Sequence, residues 1–334
     1  MKRRDVLSAA GTSLTLATLP RTANAAPVTA KITAQAFANS PWDKHWDEFK
    51  AKIAAYPDIT VEYYLRGETG NEEQMLTALR RNRVQIGGIT MWGLAGTIPE
   101  ASVPMIPFLF DSTEEVDFVF DNFLAKRFDE LLQEKGLKFL LWSEVGWNTL
   151  YTKRPVLVPA DIKFMKIRGS PNYAAQAFLS AVGANPVALG IADIAPALPT
   201  GLVDGGLSSL TFFYYGFKAF ATDVTEIGQC YDQGIQLASL AWWQSLTPVQ
   251  QQSFQTSFVG IDRARVDLRK HALTLRQSLI SEGMRIHALT PEQRALWVAA
   301  ARPTHETILK EIGGRGREVY ELIQAGKRAF AKKT

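Results

Sequence analysis

An α/β fold is what the patterning of this chain predicts, on three observations. Short runs of alternating or continuous apolar residues are separated by stretches whose apolar residues recur every three and four positions. Up to Trp142 the order strand, helix, strand repeats, the signature of parallel βαβ units. Helix starts are marked by a capping residue, a proline and a glutamine in sequence, as in Thr247-Pro248-Val249-Gln250 and Thr290-Pro291-Glu292-Gln293.

The chain begins with a segment that reads as an export signal rather than as part of the fold. Lys2, Arg3 and Arg4 precede a weakly apolar run from Val6 to Leu19, and Ala23-Asn24-Ala25 is a small-x-small cleavage site, so a mature chain would start near Ala26. The Arg3-Arg4 pair resembles a twin-arginine signal, and either export route predicts a periplasmic protein. The run of about 14 mildly apolar residues is short for a membrane span, which needs about 20. Residues 1–25 hold Lys2, Arg3, Arg4 and Arg21 against Asp5, so the formal net charge of +4 falls to +1 beyond them. That balance offers no case for a nucleic-acid or membrane-surface partner. Cys230 is the only cysteine and is expected to behave as a small buried hydrophobe.

A strand over 28–37 leads into the turn Ala38-Asn39-Ser40-Pro41 and a helix with Trp42, Trp46, Phe49 and Ile53 on one face. Strand 59–65, helix 72–81 and strand 85–91 follow, and Thr90-Met91-Trp92-Gly93 at the end of the last one is a candidate cleft wall. The apolar, proline-broken stretch 103–110 reads as buried and irregular. Ser112 to Glu115 has a capping-box pattern at the head of a helix to about Glu134. Strand 137–142 continues in extended form through Trp147 and Asn148 to Pro155, as a crossover into a second unit. Trp147 on it reads either as a cleft residue or as an aromatic packed at the hinge.

Next comes a strand ending in Arg168, a Gly-Ser-Pro turn, and an alanine-rich helix starting near Pro171 and stopping at Gly183. A guanidinium beside unsatisfied helix N–H groups suits a carboxylate or phosphate, although an arginine capping a surface turn would look the same. Pro186 to Leu189 reads as a strand, and Pro196 and Pro199 interrupt a helix. Phe212 to Tyr215 reads as extended, with half its rings in the core. After a strand at 235–240 and the pair Trp242-Trp243, one helix of about 35 residues is expected from Thr247 to Glu282, roughly 50 Å long. Its charges, including Arg263, Arg265 and Arg269, read as a solvated face. The four histidines are dispersed, and no metal, nucleophile-elbow, P-loop or dinucleotide motif is present.

Taken in order, RRNRVQIGGI, VPMIPFLFDS, PVLVPADIKFMKIRGSPNYAAQAFLSAVGANPV and TGLVDGG resemble the substrate-binding proteins of tripartite ATP-independent periplasmic (TRAP) transporters. The resemblance implies a two-domain periplasmic binding protein fold, type II-like, with crossing hinge strands and a long domain-spanning helix. The expected division is 27–147 plus about 238–270 for domain I and 148–237 plus about 286–334 for domain II, with 247–282 connecting them. It implies that Arg168, matching the family's "K-I-R" arginine, receives a ligand carboxylate. Two departures bear on the ligand. Asn148 follows Gly146-Trp147 where many members have a second arginine, and Ser208 stands where many have asparagine.

The expected function is capture of a small organic acid, a monocarboxylate with an apolar body, for delivery by a monomeric protein to the TRAP membrane permease. No cofactor or metal is expected. Beyond Arg168, the expected ligand-binding residues are Asn148, Trp147, Ser208, Phe212, Asn39, Trp42, Met91, Trp92 and Trp242. A ligand-sensing module for a signalling receptor is the alternative, and an exported hydrolase a third reading.

Overall fold

The computed structural model describes residues 26–333, so the expected export signal lies outside it. Its ten strands are β1 (Val28–Thr33), β2 (Ile59–Tyr64), β3 (Ile86–Thr90), β4 (Leu137–Thr152), β5 (Lys166–Gly169), β6 (Asn185–Ala188), β7 (Gly205–Ser209), β8 (Asp223–Glu226), β9 (Tyr231–Ser239) and β10 (Arg285–Ala288). The main path runs β2-β1-β3-β9-β4-β7-β5-β6, with β8 also on β4 and β10 on β8. Pairs β1–β2, β1–β3, β5–β6 and β5–β7 are parallel, and helices form their crossovers as the βαβ pattern predicts.

One strand joins two lobes. Residues 137–147 of β4 pair antiparallel with β9, which continues to β3, whereas residues 148–152 pair with β7 and β8. β4 thus leaves one half-sheet and enters the other without a break. Because β9 pairs with β3 from Gly234 to Ala238, the chain re-enters the first lobe before the expected boundary at 237. The C-terminal helix Gly314–Phe330 also departs from the expected division. Val319 and Ile323 are fully buried with Val119 and Phe120 of the first lobe, and Lys327 pairs with Glu115 at 2.9 Å.

Local chemistry explains most helix ends. Ser40 caps helix Pro41–Ile53 by accepting from the Asp43 N–H, and Trp46, Phe49 and Ile53 form its buried stripe. Asn71 and Gln74 close a full capping box on helix Glu72–Arg80. At Ser112 only half of the expected box forms, because Glu115 turns to the Asp111 N–H and to Lys327. Each fully buried Phe or Leu of this kind contributes roughly 1.5–3 kcal/mol.

The expected 35-residue helix is two. Pro248–Ser257 ends at Phe258, whose backbone is extended, and Ile261–Ser281 restarts with Gly260 as its cap. The longer piece is about 30 Å at about 1.5 Å per residue. Arg263 is exposed as expected, but not all of the charges are solvated. Arg265 is 4 % exposed and pairs with Asp121 at 2.6 Å and Asp117 at 2.9 Å, while Arg269 pairs with Asp117 at 2.7 Å and Glu144 at 3.1 Å. Phe212 to Tyr215 is helical, within Leu210–Gly216, because Ser209 caps it by accepting from the Phe212 N–H.

Candidate functional site

The C-terminal ends of β1, β3, β5 and β7 converge on one cleft of about 200 Å³. That edge of a parallel sheet is where loops leave backbone groups and helix starts free to meet a ligand. From β5, Ile167 enters the second lobe's core and Arg168, its neighbour in the two-residue alternation, points to the cleft. Its register partner on β7 is Gly206, where an added Cβ would overlap the Tyr151 hydroxyl and stand 2.9 Å from the Arg168 Cβ. The glycine is what lets the arginine lie across β7.

Arg168 is 4 % exposed and firmly aimed. Its Nε donates to the Leu189 carbonyl and its Nη1 to the Leu207 carbonyl, both at 2.9 Å. Nη2 donates to nothing among the described residues, so the end of the guanidinium fork stays open. Burial lowers its proton affinity, opposed by Tyr151, Glu72, Asp232 and Asp193. It is the only basic side chain lining the cleft among the described residues.

Three carboxylates line that cleft, none expected from the sequence: Glu73 is exposed, and the two whose charges act on Arg168 are Glu72 and Asp232. Glu72, in the first turn of its helix, accepts from the Thr90 N–H at 2.6 Å and the Thr90 hydroxyl at 2.9 Å. Burial pushes its pKa to about 7 against those bonds and the Arg168 charge. Asp232, on β9, is 4 % exposed and its Oδ1 has no partner. Burial first, then the Glu72 charge, hold it well above the usual carboxylate range. Asp232 sits N-terminal to the expected strand at 235–240, so its place inside a buried strand was hidden. Polar Asp232, Gln233 and Gln236 in so apolar a context are the signal that could have found it.

Of the ten expected residues, the structure brings six to the cleft: Arg168, Asn148, Ser208, Phe212, Trp42 and Trp92. Trp42 stacks on Phe212 with centroids 4.6 Å apart, one ring from each lobe, and its indole donates to the Glu144 carbonyl at 2.9 Å. The Asn148 amide donates to the Cys230 sulfur at 3.3 Å. The other four sit elsewhere. Met91 is fully buried in the first lobe's core, and Trp242 packs edge-on against Phe254 at 5.1 Å. Asn39 is exposed, with its carbonyl accepting from the Tyr215 hydroxyl at 3.1 Å. Trp147 bonds Thr113 at 3.2 Å and meets Tyr231 edge-on, facing a second cavity beneath helix Ile261–Ser281.

That second cavity is larger, about 500 Å³, but both guanidinium groups lining it are already matched: Arg269 to Asp117 and Glu144, Arg276 to Glu226 at 2.7 Å. The first holds an open guanidinium and an unpartnered carboxylate oxygen, which makes it the binding cleft. No group of three or more metal-ligating side chains occurs among the described residues, and no helix among them is long and apolar enough to cross a membrane.

Comparison with known proteins gives the same frame. The model of the DctP family, described as bacterial extracellular solute-binding protein, family 7, matches residues 33–311. The C4-dicarboxylate-binding periplasmic protein DctP of Vibrio cholerae is 26 % identical over 287 residues, 85 % of this chain and 82 % of that one. Among solved structures, the sugar acid binding protein DctPAm of Advenella mimigardefordensis, in complex with galactonate, superposes with a TM-score of 0.85 at 23 % identity. It covers 92 % of this chain and 100 % of its own. A TRAP periplasmic solute binding protein of Sulfurospirillum deleyianum with bound succinate gives 0.81 at 24 % identity, over 90 % and 99 %. At such identities the structural likeness speaks for the fold.

Proposed function

The chain belongs to the bacterial extracellular solute-binding proteins of family 7, the solute-binding components of TRAP transport, and from that premise we propose that it captures a small monocarboxylate and delivers it to a membrane permease. Relatives bind C4-dicarboxylates, galactonate and succinate, so an organic acid is the ligand class this cleft is read to take. The observation that supports a single carboxylate is the lone guanidinium: two of the three Arg168 nitrogens are tied to main-chain carbonyls and one end of the fork is left for a ligand. A second carboxylate would meet Glu72 and Asp232 without a cation to answer it. Trp42, Phe212 and Trp92 supply apolar cover for the solute body. Capture would occur in the periplasm, after removal of residues 1–25, by a monomer closing its lobes on the ligand.

The test is calorimetry on the mature protein with matched acids, butanoate against succinate and benzoate against terephthalate. The monocarboxylate of at least one pair should bind at least tenfold more tightly than its dicarboxylate, and Arg168→Ala should weaken that binding by about 100-fold. Tighter binding of the dicarboxylates, or binding indifferent to Arg168, would overturn the reading.

A further inference from the structure

We propose that Glu72 and Asp232 form the cation-receiving end of this cleft, so that the solute is a zwitterion whose ammonium or amidinium group they hold while Arg168 holds its carboxylate. This rests on the reading of Arg168 above and names the ligand class more narrowly.

The first support is an unsatisfied acceptor. Asp232 is 4 % exposed, lines the cleft and leaves Oδ1 without a donor. An unpaired buried carboxylate oxygen is costly because it has given up its water without a replacement donor, so a donor arriving with the ligand would recover that loss. Gln236, two residues further along the same face of β9 from Gly234, presents a second unpartnered oxygen to the same space.

The second support is that Glu72 is held in place. Thr90 occupies one lone pair on each of its oxygens and leaves the others open. Gly93 makes room for it, since a Cβ there would collide with the carboxylate. A carboxylate fixed on both oxygens and backed by a glycine is pre-organised rather than adrift in solvent.

The third is the relation of the charges. Glu72, Asp232 and Arg168 feel one another's fields, yet no ion pair within 4.0 Å joins the arginine to either acid. The opposite charges are separated rather than mutually satisfied. A solute with a charge at each end would satisfy all three, whereas a plain anion would add negative charge beside two acids and require both to be protonated.

The charged and titratable groups facing this pair are few. They are each other, the exposed Glu73 next to Glu72, Arg168 from β5 with Tyr151 and Asp193 beside it, the Trp92 indole, and Cys230 just before β9. The two ligand classes therefore predict opposite pH responses. Affinity for a zwitterion follows the ionised acids and rises with pH; affinity for a hydroxy acid or plain carboxylate falls as those acids ionise.

Calorimetry on the full mature protein at pH 6 and pH 8 separates them, with three near-isosteric pairs as probes. These are phenylalanine and 3-phenyllactate, 4-aminobutanoate and 4-hydroxybutanoate, and 4-(aminomethyl)benzoate and 4-(hydroxymethyl)benzoate. In at least one pair the amino member should bind about tenfold or more tightly at pH 8, the excess of a charge-assisted over a neutral hydrogen bond. Its affinity should rise up to about tenfold from pH 6 to pH 8, as for one acid titrating near 7. Asp232→Asn, which keeps shape, should erase the preference.

Hydroxy members binding as tightly in every pair, or amino members weakening with pH, would overturn the inference while leaving a carboxylate-binding protein. So would failure of every amino probe when some plain carboxylate still binds in an Arg168-dependent way. Loss of the Arg168 dependence itself would fell the underlying reading and this inference together.

Discussion

Beneath helix Ile261–Ser281, every guanidinium that touches the β4 region is answered: Arg265 by Asp117 and Asp121, Arg269 by Asp117 and Glu144. In the cleft, Arg168 keeps part of its fork open and Asp232 keeps an oxygen unpaired. The two regions are built from the same residue types at similar burial, yet one spends its charges on the fold and the other holds them back for a ligand. Burial is thus a poor guide to which charges bind a solute; satisfaction is the better one.

Breaking the paired side should cost stability. Arg265→Ala takes the guanidinium from Asp121 and leaves Asp117 to Arg269 alone, and should lower the unfolding free energy by about 3 kcal/mol in urea titration. Ligand affinity of the molecules that remain folded should hold. A loss below about 1 kcal/mol would mean the network is solvated after all.

On the open side the effect should move to binding. Arg168→Ala should weaken carboxylate binding by about 100-fold, near 3 kcal/mol, while apo stability shifts by no more than about 1 kcal/mol. Comparable losses in both quantities would erase the distinction between the regions.

Asp232→Asn should reveal what an unanswered charge costs. The native carboxyl titrates well above its unfolded value of 3.8 because burial disfavours its ionised form. Below that value both states are protonated and there is no penalty. As pH rises from it toward the native pKa, the unfolded state alone loses its proton and stability falls. The ligand-free variant should therefore melt about 2–4 °C above wild type at pH 8, with the gap closing near pH 4. A variant less stable at pH 8 would mean the carboxylate is satisfied in the fold.

The smallest expected effect tests the scaffold under Arg168. Asn172 caps helix Tyr173–Ala181 by accepting from the Ala175 N–H at 3.0 Å. Asn172→Ala should cost about 1 kcal/mol of stability with less than a threefold change in affinity. A larger affinity loss would make the cap part of the binding apparatus.

How much of this was legible depended on whether the signal was local. Strands and capped helices were, because alternation and start residues act within a few positions: Ser40-Pro41 and Asn71 lie where the structure starts its helices. Arg168 was legible through its motif. The break at Gly260 was missed because one glycine inside an otherwise helical run is often tolerated. Arg265 and Arg269 were misread because their partners Asp117, Asp121 and Glu144 lie more than a hundred residues away. Met91 and Trp242 were misplaced for a related reason. A bulky residue at a strand's end can enter the core or the cleft, and only the packing of the next element decides.

Arg168 is clipped to carbonyls of Leu189 and Leu207, so its open end keeps station with the second lobe. Glu72 and Asp232 hang from the first. A solute that touches all three then works as a strut, and its length, not only its chemistry, dictates the spacing at which the lobes come to rest. Molecules of the right groups but the wrong span would bind one lobe and leave the other idle. A permease that recognises that spacing would screen solutes by size without ever touching them.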